Sequence, residues 1–231
     1  GFVCMCYIFL RSDFILNGNV VNYDNFYDNN LPLWGKPKLD VELKKYLKLL
    51  DGNNVLDLGI GEGQNSIALS EMGYKVTGVD FSDNSLSICR KRSSDIELIK
   101  SDIRSFDIVP DKYDLIMSRC VLHFLHKEDV FDIVENIKSC LRPNGLVYVS
   151  VFSVDDPSLI FRSASSNFEA LDNNVFHDLV NDTFFSYFSK EEVLSLFSGF
   201  DTVFVSDEFG LDLSHGSLHS HGVLKYVGRN V

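Results

Sequence analysis

The chain has 231 residues, 45% of them hydrophobic and 23% charged, a balance that builds a buried core and excludes a disordered chain. The length suits one domain with an added flap or arm. The formal net charge of −12 repels phosphate backbones, which argues against nucleic acid as the main ligand.

The apolar run Phe2 to Leu10 is too short to span a bilayer. It has no basic stretch before it and no small-residue cleavage site after it, so neither a membrane partner nor a secretory leader is expected. Residues 1–22 are set apart as an extension, and residues 23–231 are expected to form a single domain. From residue 38 onward, helical and strand patterns alternate with short connections, the signature of an α/β fold with a mainly parallel sheet. A helical stripe covers 38–50, and Asn54 to Leu58 reads as a buried strand. A helix over 66–72 is stopped by Gly73, and Lys75 to Asp80 is a second strand. Ser82 caps a helix that ends in the cationic run Arg90-Lys91-Arg92. Strands follow at 97–100 and 113–118, then a helix at 128–141, a turn at Arg142-Pro143-Asn144-Gly145 and a strand at 146–152. Residues 153–188 are rich in Ser, Asn, Asp and Phe with weak periodicity, and their position suits a substrate lid. Ser189 to Glu192 is a capping-box signature, and 202–206 and 223–227 read as closing strands. Five cysteines without a CxxC pair fit a reducing, cytoplasmic setting and give no metal site; Cys120 reads as a small buried thiol.

The chemistry concentrates where the first strand ends, in Asp57-Leu-Gly59-Ile-Gly61-Glu-Gly63-Gln-Asn65-Ser66. Glycines in a strand-to-helix turn let backbone approach a ligand closely, and the helix start offers free N–H groups. The dinucleotide fingerprint needs glycine at position 64, where Gln64 stands, and the Walker lysine is absent. That weakens the alternatives of a nicotinamide oxidoreductase or a nucleoside triphosphate site.

The acid-and-glycine run resembles motif I of the class I S-adenosylmethionine (SAM)-dependent methyltransferases. The resemblance implies a doubly wound, seven-stranded, mainly parallel sheet with the last strand antiparallel, and SAM as cofactor. Asp57, Gly59, Gly61, Gly63 and Asn65 match the turn that makes room for SAM and orients its amino acid end. Asp80, 23 residues after Asp57, matches the acid that accepts from the ribose hydroxyls, with Phe81 beside it. Asp102 matches the acid that takes the adenine amino group, and Ile103 the residue against the ring. Ser118-Arg119-Cys120 to His123 resembles the segment lining the methionine moiety. Tyr27 belongs to an aromatic N-terminal stretch (Tyr23, Phe26, Tyr27, Trp34) which in such enzymes folds over the cofactor. Gly63-Gln-Asn65-Ser66 is similar to a run in the tellurite-resistance and thiopurine-like branch. This points to a small-molecule acceptor, including soft sulfur, selenium or tellurium nucleophiles. A non-catalytic SAM-binding module is the alternative.

Methyl transfer from a sulfonium is an in-line displacement in which alignment lowers the barrier most, while a general base adds about 10²–10⁴-fold. His215, His219 and His221 are the candidate substrate-side groups; their short cluster lacks the pattern of a metal site. His123 reads as a packing or cofactor-proximal residue.

Overall fold

The computed structural model describes residues 36–107, 109–212 and 219–231. The first helix, α1 (Val41–Tyr46), is capped by the Asp40 carboxylate, which accepts the N–H groups of Glu42 and Leu43. A 3-10 turn (Leu47–Leu49) continues it, so the helical stripe expected over 38–50 is split and starts later, at its cap. Then come β1 (Asn54–Leu58), α2 (Gln64–Glu71), β2 (Lys75–Asp80), α3 (Asp83–Arg92), β3 (Glu97–Lys100) and β4 (Tyr113–Arg119). A 3-10 turn (Leu122–Phe124) leads to α4 (Lys127–Cys140) and β5 (Leu141–Phe152). An insert holds α5 (Pro157–Ala164), β6 (Phe168–Asp172), β7 (Val175–Asp178) and β8 (Thr183–Ser186); α6 (Lys190–Leu196), β9 (Asp201–Asp212) and β10 (His219–Arg229) follow.

The main sheet has seven strands in the order β3-β2-β1-β4-β5-β10-β9. Neighbours from β3 to β5 run parallel, and β10 is antiparallel to both β5 and β9. This is the expected doubly wound sheet with its last strand reversed. The central strands bury both faces, as parallel strands under helices must. On one face Leu56, Leu58, Ile116, Val147 and Val149 meet Val130, Ile133 and Ile137 of α4 and Val193 of α6. On the other, Val55, Leu115, Met117, Leu146 and Tyr148 meet Leu43 of α1, Ile67 and Leu69 of α2, and Leu86 and Cys89 of α3. Successive residues of a strand point to opposite faces, so one buried run fills both cores.

Two expectations change. The turn expected at 142–145 lies inside β5 as a looped-out stretch. Leu141 pairs with Tyr113 and Leu146 with Leu115, so the intervening exposed residues are extruded while both leucines stay buried. Asn144 takes the left-handed conformation there (φ 66°), and its N–H donates to the Asn230 carbonyl. Residues 153–188 are not merely irregular: they form α5 and a separate antiparallel sheet, β6-β7-β8. Its two ends are tied together, with Phe188 N–H donating to the Phe152 carbonyl and Val154 N–H to the Phe188 carbonyl. The insert thus leaves the main sheet and returns to it through one stem.

The capping box before α6 forms as expected: Glu192 N–H donates to Ser189 Oγ at 3.1 Å and Ser189 N–H to Glu192 Oε2 at 2.7 Å. Ser189→Ala is expected to lower unfolding free energy by about 1 kcal/mol, with Ser189→Asp restoring most of it, as read by urea denaturation.

Candidate active site

The turn after β1 is left-handed at Gly59 (φ 81°), Gly61 (φ 54°) and Gly63 (φ 80°), conformations open to glycine at little cost. Gly59 and Ile60 N–H both donate to the Val79 carbonyl, at 2.8 and 3.0 Å. A Cβ at Gly59 would sit 2.3 Å from Val121 Cγ2, whereas one at Gly61 would meet nothing within 4 Å. Backbone therefore faces open space at Gly61. That is the cradle a ligand needs, and the N terminus of α2 lies immediately after it.

Asp80, at the end of β2, is buried and organises this turn. Its Oδ2 accepts Gly61 N–H at 2.8 Å and its Oδ1 accepts Ser82 N–H at 2.9 Å. Each carboxylate oxygen retains acceptor capacity beyond these bonds. Asp57 points to the α2 side of the sheet, where its Oδ2 accepts the Ser66 hydroxyl at 2.6 Å. Burial pushes the Asp57 carboxyl up to about 7; the Ser66 hydrogen bond works against that rise and the neighbouring Asp80 charge adds to it. Glu62, fully buried as a side chain, pairs with Arg92 at 2.6 Å. The last turn of α3 is thus not only an exposed cationic end, because Arg92 anchors the glycine turn.

Asn65 is buried, and its Oδ1 accepts Asp40 N–H at 2.7 Å, which fastens the start of α1 to α2. Arg119, at the end of β4, lies 3.6 Å from Asp40 Oδ2. Phe81 is 49% exposed at the rim next to Asp80. Asp102 is gripped by Arg104, whose backbone N–H donates at 2.9 Å and whose Nε lies 3.0 Å from both carboxylate oxygens. The Arg104 hydrogen bonds hold that carboxyl below its ordinary range. Ile103 packs against the α4-side core. Tyr27 and His215 lie outside the described residues; His219 opens β10, but its side chain is likewise outside them.

A second group of polar residues gathers at the same edge of the sheet, near β4, β5 and β10. Cys120 is buried and left-handed (φ 57°), its N–H donating to the Ser150 carbonyl at 3.0 Å. His123 follows on the 3-10 turn, fully buried, its ring stacked on Phe152 at 3.7 Å. Burial pushes its pKa well down, so it is neutral. His221, buried on β10, places Nδ1 3.0 Å from Asp156 Oδ2. Arg162 of α5 is buried over the Phe185 ring, 3.7 Å from its centroid, and donates to the Tyr187 hydroxyl. Of the predicted histidines, His221 is the one whose side chain lies among the described residues, and its partner is Asp156. Sequence reasoning missed that partner, Asp156, as well as Ser66 and the Val121 contact. The one local signal for Asp156 is its place before Pro157, where it caps α5. Among the described residues no group of three metal-ligating side chains forms, and no helix is long and apolar enough to cross a membrane.

Residues 55–145 match the family described as Methyltransferase domain. The chain is 36% identical over 114 residues to TehB of Haemophilus influenzae, named a probable S-adenosyl-L-methionine-dependent methyltransferase; the match covers 47% of this chain and 40% of TehB. The crystal structure of TehB from Haemophilus influenzae superposes with a TM-score of 0.65 at 23% identity, over 84% of this chain and 63% of that one. A SAM-dependent methyltransferase from Methanosarcina mazei gives 0.67 at 14% identity, over 84% of this chain and 99% of its own. The chain spans less than half the length of the curated relatives it matches. The matched stretch runs from β1 to the loop in β5, on the mainly parallel seven-stranded sheet with its last strand reversed that the resemblance to motif I implies. Over this stretch the chain carries a methyltransferase domain and is similar to TehB, on a fold shared with SAM-dependent methyltransferases.

Proposed function

We propose that this chain transfers a methyl group from SAM to a small-molecule acceptor. The observation that carries the reading is the turn at 59–63, bare at Gly61 and locked to Asp80. Bound there, SAM supplies an electrophilic methyl group on a sulfonium. Asp80 accepts from the ribose hydroxyls while keeping its backbone donors. Asp57 faces the cofactor's ammonium group, and Gly59, Gly61 and Gly63 give its amino acid end room. Asn65 and Arg119 act through Asp40, holding α1 against this end of the sheet. Phe81 and Ile103 flank the adenosine side, and Asp102 takes the adenine amino group with its remaining acceptor capacity beside Arg104. The insert, 153–188, is the lid over the acceptor, moving on its single stem. The similarity to TehB makes soft sulfur, selenium and tellurium nucleophiles one acceptor class to assay. The strong negative charge supports a protein that works away from nucleic acid and membrane surfaces, in the cytoplasm.

Calorimetric titration with SAM tests the site. Micromolar-range binding is expected, weakened at least tenfold, about 1.4 kcal/mol, by Asp80→Ala; absence of binding by folded protein refutes the reading. The two glycines separate strain from recognition. Gly59→Ala adds left-handed strain of about 1–3 kcal/mol to a clash with Val121, and is expected to lower stability sharply. Gly61→Ala adds only strain, about 1–2 kcal/mol, yet is expected to reduce SAM affinity at least tenfold because its methyl enters the cradle.

The raised Asp57 carboxyl gives a proton linkage with a definite sign. The folded chain holds a proton that the unfolded chain loses above the ordinary carboxylate range. Stability contributed here is therefore present at low pH and lost as pH rises toward about 7. A cationic ammonium beside Asp57 lowers its pKa, so SAM binding is expected to release a proton near pH 6 and none near pH 8.5. Binding enthalpies in phosphate and bis-Tris then differ by the buffer ionisation heat at the lower pH, and Asp57→Asn abolishes the difference.

A further inference from the structure

The polar group under the insert is built differently from a packed core. Asp156 Oδ2 accepts Gly222 N–H at 3.1 Å as well as facing His221 Nδ1, while its Oδ1 accepts Ser158 N–H at 2.8 Å and the Ser158 hydroxyl. Gly222 is required for this approach, since a Cβ there would lie 2.6 Å from Asp156 N. Burial pushes the Asp156 carboxyl up, but the hydrogen bonds from His221 and Ser158 outweigh it and hold the group below its ordinary range. An ionised carboxylate has no proton to give. The bond therefore needs Nδ1–H on His221, and in the tautomer that carries this single proton the lone pair is on Nε2. Beside this pair, both ring nitrogens of His123 are buried with no hydrogen-bond partner among the described residues. Buried polar atoms are rarely left so. One Phe152 ring stacks on His123 at 3.7 Å and lies nearly parallel to His221 at 6.0 Å. The surroundings are aromatic: Phe124, Phe176, Phe185 and Tyr187 pack with Phe152 in one buried cluster.

We propose that His221, Asp156 and His123 form the acceptor site for a planar, hydroxyl-bearing molecule of the phenol type. This rests on the methyl transfer proposed above. His221 is the catalytic base, Asp156 the positioning residue that fixes its tautomer, and His123 hydrogen-bonds the acceptor. The hydroxyl proton passes to Nε2 of His221. The oxygen forms a bond to the methyl carbon, and the C–S electron pair stays on sulfur, giving an aryl methyl ether, S-adenosylhomocysteine and an imidazolium that returns its proton to solvent. A planar acceptor takes its place against Phe152 when the insert lifts on its stem, since Phe185, Tyr187 and Arg162 cover this position. A thiolate or chalcogen oxyanion needs no base, so the His221–Asp156 pair would have no part in its methylation.

Three readouts decide it. Long-range ¹H–¹⁵N correlation spectra of the full chain at about pH 7 are expected to show His221 as the Nδ1–H tautomer; an Nε2–H or doubly protonated ring overturns the proposal and needs no variant. With SAM, release of S-adenosylhomocysteine is measured on catechol and simple phenols against 2-mercaptoethanol and tellurite. Phenol turnover is expected, with kcat falling about 10²–10⁴-fold in His221→Gln and at least tenfold in Asp156→Asn at little changed KM, while SAM affinity stays at the wild-type value. If a variant fails to fold, His221→Asn is measured in its place. Turnover of thiol or tellurite alone, phenol turnover indifferent to His221, or no phenol turnover by protein that binds SAM each overturns this acceptor assignment and leaves the methyltransferase reading standing. Failure to bind SAM overturns the methyltransferase reading itself.

Discussion

The site depends on one carboxylate. Asp80 closes β2, and each of its two oxygens accepts a backbone N–H from a different segment, Gly61 in the turn after β1 and Ser82 at the cap of α3. Because β1 and β2 pair in parallel with Leu58 opposite Val79, the Val79 carbonyl is free to receive Gly59 and Ile60 N–H from the same turn. Two strand ends and two helix starts are thereby fixed to each other by direct hydrogen bonds. The arrangement also needs Gly78 on β2, where a Cβ would lie 2.2 Å from Ile60 Cδ1. A glycine on the neighbouring strand is thus as much part of the turn as the glycines within it.

Around this centre, each charged group is met by a partner from another element. Glu62 in the turn finds Arg92 on α3, and the Asp40 carboxylate at the cap of α1 finds Arg119 on β4, while the Asp40 backbone N–H donates to Asn65 Oδ1 on α2. Such bonds cost desolvation and return little net stability. What they supply is position, since each fixes the angle at which a helix meets the sheet. Asp57 is the exception. Its partner is a neutral hydroxyl, and burial leaves its carboxyl poised near neutrality. The two acids stand on adjacent strands, yet one is hydrogen-bonded to backbone N–H groups and the other to a side-chain hydroxyl.

The fold was legible because its determinants are local. The strands around Leu56, Val76 and Leu115 announce themselves by apolar runs between turn residues. The caps at Ser82 and Ser189 lie within three positions of the N–H groups they accept. The glycine turn was legible for the same reason, since strand end, turn and helix start are consecutive. The loop inside β5 was misplaced because Pro143 and Gly145 look the same in a turn between elements as in residues extruded from a strand. Only the burial of Leu141 and Leu146 against β4 separates the cases. In the insert, β6 is exposed along most of its length, so no alternating apolar pattern marked it. The Asp102 acid was visible, but its grip by Arg104 depends on a side-chain conformation that spacing does not specify.

The acceptor side of the molecule was opaque for a physical reason that also bears on how it works. Asp156 and His221 are 65 positions apart, and they meet because β10 runs antiparallel beside β5 and begins where β5 ends. In a strand order of β1-β4-β5-β10 this places them about 14 Å from the glycine turn at the usual strand spacing. That span leaves room for a cofactor over one half of the edge and an acceptor over the other. The first half is made of consecutive residues whose backbone conformations are tightly constrained. The second is made of side chains brought from the stem of an insert, a 3-10 turn and a reversed strand, none of which constrains the others in sequence. Chemistry common to a family can reside in the first. On the acceptor site proposed above, choice of acceptor belongs to the second, where replacing the insert would exchange the walls of the site without disturbing the sheet.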